Sequence, residues 1–177
     1  MEPDRLPPKK FPRVPFERRF YAFVIDLTVT WLLSTFAGTG AVQAIVFFLV
    51  WIVLRVVVVD KNQGQSLGSW CMDIKVLNLR FRKVPDVFEL AKREGVVGGL
   101  AMFAAVGFNI LFLNPFATLL LVAPLIIDCA IAYADDDWNQ AFHDRLFGTV
   151  MIQTKRGYSL DIRLRRLLAD LRYRMRK

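Results

Sequence analysis

Three charged residues stand inside apolar runs of this chain. Asp26 interrupts "RRFYAFVIDLTVTWLLSTF" (18–36), Arg55 interrupts 41–59, and Asp128 interrupts 116–134. An ionised group in hydrocarbon is costly. Such groups pair inside a helix bundle or mark an ion pathway. Counted along helices, the three fall at similar depth: Asp26 lies about 10 Å beyond Arg19, Arg55 about 7–8 Å before Asp60, and Asp128 about 10 Å before Asp135. The simplest arrangement puts Arg55 between Asp26 and Asp128, because one guanidinium can serve two carboxylates. One negative charge is then in surplus, unless a carboxylate is protonated or Arg19 bends inward. That surplus is the hint of proton or cation chemistry. The plainer role for the trio is a polar clasp that locks helix packing.

His143, Asp144 and Arg145 form the other titratable group. A catalytic His–Asp pair needs a nucleophile and a pocket. The chain has no Gly-x-Ser-x-Gly, no Cys/His arrangement and no phosphate-binding loop. Asp144 is expected to cap a helix or to pair with a basic residue such as Arg19. Cys71 and Cys129 are far apart, and His143 is the single histidine, so no disulfide framework or metal-ligand spacing is visible. The "DDD" run (135–137) reads as a solvated acidic helix end. No catalytic residue, metal or cofactor is expected.

The elements that must position these charges are membrane helices. Four apolar segments, about 20–37, 41–59, 95–113 and 116–134, approach the ~20 residues that cross a bilayer. "GTG" (38–40) and "NP" (114–115) are tight, uncharged turns, so the segments form two helical hairpins. Residues 1–19 hold 6 Lys/Arg, 60–94 hold 7 and 135–177 hold 10, which leaves Arg55 alone of the 24. By the positive-inside rule both termini and the middle loop are cytoplasmic. The chain is both apolar (55% hydrophobic) and basic (net charge +8). That combination fits a membrane protein with its charges on one side, and no basic–aromatic motif for nucleic acid appears. The third segment carries Gly95, Gly98, Gly99, Ala101, Ala104, Ala105 and Gly107, small residues that let helices approach closely.

The two cytoplasmic connections resemble one another. "DKNQGQSLGSWCMDIKVLNL" and "DDDWNQAFHDRLFGTVMIQT" each hold Asn-Gln, a short mixed segment, and a strand-like run at 74–79 or 149–154. The period-two alternation predicts strands. The chain therefore reads as a repeat of hairpin, interfacial segment and strand, with the strands paired in a small cytoplasmic ribbon.

At these motifs the sequence resembles the RDD family of bacterial multi-pass membrane proteins, named for an arginine and two aspartates. "RFYAFVID" matches Arg19 and Asp26 to the family's arginine and first aspartate. "GQSLGSW" matches its middle signature at Gly64, Ser66, Leu67 and Gly68. "HDRLFGTVMI" matches its closing signature with Asp144, Arg145 and Thr149, Asp144 being the second aspartate. Ser69 stands where the family usually has lysine, and Asp73 where it usually has glycine. The resemblance covers roughly 16–154 and implies a multi-pass membrane protein without implying a particular activity.

The end of the chain, "SLDIRLRRLLADLRYRMRK" (159–177), places Leu160, Leu164, Leu167, Leu168, Leu171 and Met175 at helical spacing opposite seven Lys/Arg. With Ser159 as N-cap, it predicts a basic amphipathic helix on the anionic cytoplasmic leaflet. Arg163, Arg165, Arg166, Arg172 and Arg174 are its candidate lipid contacts.

The expected fold is thus an all-α membrane protein: a basic cytoplasmic tail (1–19), a four-span domain (20–158) with a β-ribbon, and an amphipathic helix (159–177). It is expected in the bacterial cytoplasmic membrane, or an internal membrane of equivalent topology. The expected function is a non-enzymatic accessory or assembly protein that meets anionic lipids and other membrane proteins or copies of itself. The alternative is an oligomeric proton- or cation-coupled transporter using Asp26, Arg55 and Asp128.

Overall fold

The structure is a computed structural model that describes residues 14–154, 159, 160, 162 and 163. Most of the basic tail, and the candidate lipid contacts Arg165, Arg166, Arg172 and Arg174, lie outside the described residues. Helix α1 (Phe16–Thr35) leads to α2 (Ala41–Lys61), the short α3 (Leu67–Cys71) and strand β1 (Ile74–Asn78). The second half repeats the order with α4 (Val87–Asn109), α5 (Pro115–Ala134), the short α6 (Phe142–Leu146) and strand β2 (Thr149–Gln153). Leu160, Ile162 and Arg163 are helical, and the Arg163 amide donates to Ser159 O at 3.3 Å.

Helices α1 and α5 turn most of their large apolar side chains outward. The buried residues of α1 are Ala22, Asp26, Thr30 and Ser34, while Phe20, Tyr21, Val24, Leu32 and Leu33 are exposed. In α5 the buried set is Thr118, Leu125, Asp128 and Ala132, with Leu119, Leu120, Ile126 and Ile127 outside. A water-soluble bundle shows the opposite pattern. α2 and α5 are each long and apolar enough to cross a membrane.

Helix bounds differ from the expected spans in two places. α1 begins at Phe16 because Pro15, in extended conformation (ψ 140°), opens it. α4 begins at Val87, eight residues before the apolar run at 95, and stops at Asn109 because 110–113 form a turn. Its first turns therefore hold Arg93 and Glu94, both buried. A hydrophobic run marks where a helix is apolar, and this helix extends upstream because each of those charges has a partner. In α5, Pro115 opens the helix and the Asn114 side chain accepts from Ala117 N at 3.0 Å.

α1 packs on α2, α2 on α4, and α4 on α5, so α4 stands between α2 and α5, while α1 and α5 touch little. Small residues set the close approaches. A Cβ on Gly98 would meet the Trp51 ring at 2.6 Å, and one on Gly107 would meet Leu121 at 3.3 Å. Gly95 and Gly99 face open space and take no part in this packing. Near the turns at 36–40 and 110–114, Trp31 Nε1 donates to Asn109 Oδ1 (3.2 Å) and Asn109 Nδ2 to Gln43 Oε1 (2.9 Å), tying α1, α4 and α2. β1 and β2 pair antiparallel with Val76 opposite Met151, forming the expected ribbon.

Candidate functional site

The inward faces of the helices converge on one buried layer of charge. Asp26 is fully enclosed. Its Oδ1 accepts from Gly68 N (2.7 Å), and its Oδ2 accepts from Ser66 Oγ (2.6 Å) and Arg55 Nη1 (2.6 Å). The carboxylate thus closes the start of α3, where amides lack helical partners. Gly68 makes this approach possible, because a Cβ there would collide with the Ala22 carbonyl.

Arg55 sits in a π-helical stretch, Val53–Val57. The buried face of α2 steps by four residues through Gln43, Phe47, Trp51 and Arg55. Such steps drift about 40° each around an α-helix. The wider turn absorbs the drift and keeps Arg55 pointing inward. Its guanidinium lies 5.2 Å from the Trp51 ring centroid. It grips Glu94 with two bonds, Nε to Oε2 at 3.0 Å and Nη2 to Oε1 at 3.3 Å.

This is the main correction to the expected cluster. Arg55 joins Asp26 to Glu94, not to Asp128. Asp128 is equally deep, but it projects from α5, beyond α4. Its partners are His143 Nδ1 (2.7 Å) and His143 N (3.2 Å).

From Glu94 the pairs continue. Arg93 Nη1 bonds Glu94 Oε1, while Arg93 Nε and Nη2 reach Asp144 Oδ1 at 3.0 and 2.8 Å. Arg19 closes the far end by bonding Asp144 Oδ2 and the Asn139 carbonyl. Thr149 Oγ1 donates to Asp144 Oδ1 at 3.0 Å. One alternating chain, Asp26–Arg55–Glu94–Arg93–Asp144–Arg19, therefore binds α1, α2, α4 and α6 together. Burial alone raises the Asp144 pKa. Arg19, Arg93 and His143 outweigh it and hold the carboxyl well below the usual carboxylate range.

His143 links this chain to Asp128. Its Nε2 faces Arg93 Nη2 at 3.3 Å, and an arginine can only donate. The same ring nitrogen lies 3.5 Å from Asp144 Oδ1. Arg19, Arg55 and Arg93 thus alternate with Asp26, Glu94 and Asp144, and the Asp128–His143 pair stands beside this chain with a fourth carboxylate. A cavity of about 60 Å³ opens beside that pair between α1 and α5, with Arg19, Arg55, Arg93 and Ser69 also on its lining. A water needs about 10–15 Å³ of such space.

The remaining motif residues are structural. Gly64 adopts φ +88°, and a Cβ there would meet Val76 O at 2.9 Å. Asp73 adopts φ +59° before β1, and Gly148 adopts φ +58° before β2. A left-handed turn at both places explains why glycine suits position 73. Ser69, buried, bonds Ser66 Oγ at 2.9 Å. Arg145 lies outside the buried layer, where it pairs with Asp135 at 3.1 Å with half its side chain exposed. Among the described residues no group of three His, Cys, Asp or Glu side chains converges as a metal site.

Sequence reasoning missed Arg93 and Glu94. The helical period through Leu90, Glu94, Val97 and Ala101, all buried, carries the signal that places them.

No curated protein and no solved structure matches the chain. The RDD family model matches residues 13–148, from just before the first helix to the glycine before β2, and so takes in the whole alternating chain from Arg19 to Asp144. The protein belongs to the RDD family, a family of membrane proteins.

Proposed function

We propose that the protein is a non-enzymatic accessory or assembly protein of the bacterial cytoplasmic membrane, or of an internal membrane of equivalent topology. In this reading α1, α2, α4 and α5 cross the bilayer as two hairpins with both termini cytoplasmic. The observation that carries it is the alternating ion-pair chain. Each of the three arginines is engaged by carboxylates of the protein itself, so the layer acts as a clasp that makes the helices one unit. What such a unit offers its surroundings is its outer face: apolar helix stripes for lipid, for neighbouring membrane proteins or for a second copy. The basic segment 159–177 adds anionic lipid as a partner at the cytoplasmic face.

Two experiments test this. With Cys71 and Cys129 replaced, an outside-only thiol reagent should label Thr39→Cys and spare Ser159→Cys. Labelling of both from one side contradicts the topology. Under mild detergent the tagged protein should migrate within a larger membrane complex. A lone monomer at native abundance contradicts the accessory role.

A second reading, an oligomeric proton- or cation-coupled transporter, is favoured by the fourth carboxylate, Asp128, paired with His143, and by the cavity beside it. It requires that protein in sealed liposomes moves protons when a Na⁺ or K⁺ gradient is imposed, and that Asp128→Asn abolishes the flux. The accessory reading expects no flux above empty liposomes.

A further inference from the structure

The connection from β1 to α4 is tightly built. Asn78 Oδ1 accepts from Arg80 N (2.9 Å) and Phe81 N (3.3 Å), and its backbone bonds Arg82 N (2.9 Å) and Lys83 O (2.8 Å). Its Nδ2 donates to Glu89 Oε2 on α4 at 2.9 Å. A single asparagine thus fastens the turn to the helix. Yet the turn projects Phe81, 61% exposed, with Arg80, Arg82 and Lys83 exposed around it. The Arg80 guanidinium lies 5.6 Å from the Phe81 ring. On α4 alongside, Phe88 is 65% exposed and carries the Lys92 ammonium 4.3 Å from its ring. Ordering a turn to expose a phenylalanine has no internal benefit to the fold.

The depth of the turn supplies an occupant. On α2, Asp60 lies five residues past Arg55, and on α5, Asp135 lies seven past Asp128. These charges end the apolar runs about 8–10 Å below the buried layer. On α4, Phe88 lies six residues, about 9 Å, from Glu94 and so within that range, next to the Glu89 that holds the turn. Phe88, Lys92, Val96 and Phe103 recur at four- and seven-residue steps, all exposed, so Phe88 continues the outward apolar stripe of α4. Lys92, higher on that stripe, bends toward Phe88 in the manner of a snorkelling side chain.

We propose that this turn is a docking surface for the anionic phospholipids of the cytoplasmic leaflet. Phe81 and Phe88 enter the boundary between headgroups and acyl chains, and Arg80, Arg82, Lys83 and Lys92 take the phosphates. The inference rests on the reading that α2, α4 and α5 cross the membrane. Complementary charge and continuity with the apolar stripe of α4 favour lipid over a protein partner.

The test uses the full chain in vesicles, with Cys71 and Cys129 replaced and a nitroxide on Phe81→Cys or, as control, on Leu49→Cys of the exposed face of α2. Accessibility to oxygen and to a water-soluble nickel chelate reports depth. In phosphatidylcholine–phosphatidylglycerol vesicles both sites should favour oxygen, and site 81 should move toward water in phosphatidylcholine alone or in high salt. A second arm keeps Phe81. The triple variant Arg80→Gln, Arg82→Gln, Lys83→Gln should lower the preference for spin-labelled phosphatidylglycerol over phosphatidylcholine, by up to about fivefold per residue removed. Site 81 aqueous while site 49 reads lipid overturns the proposal alone. Both sites aqueous overturns the membrane-spanning reading with it. Burial of site 81 only when another protein co-purifies assigns the turn to a protein partner and overturns the lipid assignment, as does an unchanged lipid preference in the triple variant.

Discussion

Gln65 and Gln140 make the same hydrogen bond in the two halves of the chain. Each side-chain amide donates to a backbone carbonyl nine residues further on, Ile74 O at 2.8 Å and Thr149 O at 2.7 Å. Each bond spans a short helix and a left-handed turn, at Asp73 and Gly148, and ends at the first residue of a strand. The resemblance between the two connections is therefore structural: one unit, two long helices plus a short helix plus a strand, used twice. The halves differ in which helix supplies the carboxylate to the short helix. Asp26 of α1 receives Gly68 N, whereas Asp128 of α5 receives His143 N.

The repeat makes a graded prediction. Gln65 is buried and Gln140 only partly so. Gln65→Leu should strand the Ile74 carbonyl and cost about 1–3 kcal/mol, the range for a buried unsatisfied group. Gln140→Leu should cost less, because water can reach part of the site. Thermal unfolding of each variant in nanodiscs checks the order.

Neighbouring glycines on α4 should respond in opposite ways. Gly98→Ala drives a methyl into Trp51 and should cost about 1–3 kcal/mol, as overpacking does. Gly99→Ala meets nothing within 4 Å. It should be neutral or gain up to about 1 kcal/mol of helix propensity. Equal losses at both positions would mean that Gly99 is covered by something beyond this chain.

Asp144 sets an acid limit on stability. Its folded pKa is depressed, so its contribution is complete above the unfolded value near ~3.9 and is lost as pH falls from there toward the folded value. Asp144→Asn should be less stable than wild type at neutral pH, by about 3–5 kcal/mol for a broken buried pair. The gap should close as the pH is lowered through the acid range. A gap that stays constant down to full unfolding would mean that the carboxylate carries no ion pair.

These sites differ in how plainly the sequence displays them. Asp26 and Arg55 are conspicuous because a charge within an apolar run has few readings, and the two are indeed bonded. The pairing of Arg19 with Asp144 follows from their positions at the charged ends of elements that meet. Depth is legible by counting residues along a helix. Azimuth is not, because it depends on the lateral order of helices, which tertiary packing sets. Placing α4 between α2 and α5 moves Asp128 out of Arg55's reach and brings Glu94 in. Glu94 itself was masked by its neighbours: "KRE" reads as loop charge until the period of α4 is carried upstream of Gly95.

The central claim is that Arg55 clasps Glu94 across α2 and α4 and has no bond to Asp128. Paired double-mutant cycles on unfolding in nanodiscs address it directly, one combining Arg55→Leu with Glu94→Leu and the other combining Arg55→Leu with Asp128→Asn. The account predicts a coupling of about 0.5–3 kcal/mol in the first cycle, with the double variant recovering part of the Arg55→Leu loss, and additivity to within about 0.5 kcal/mol in the second. Coupling confined to the Arg55–Asp128 cycle, with Arg55 and Glu94 additive, would contradict it.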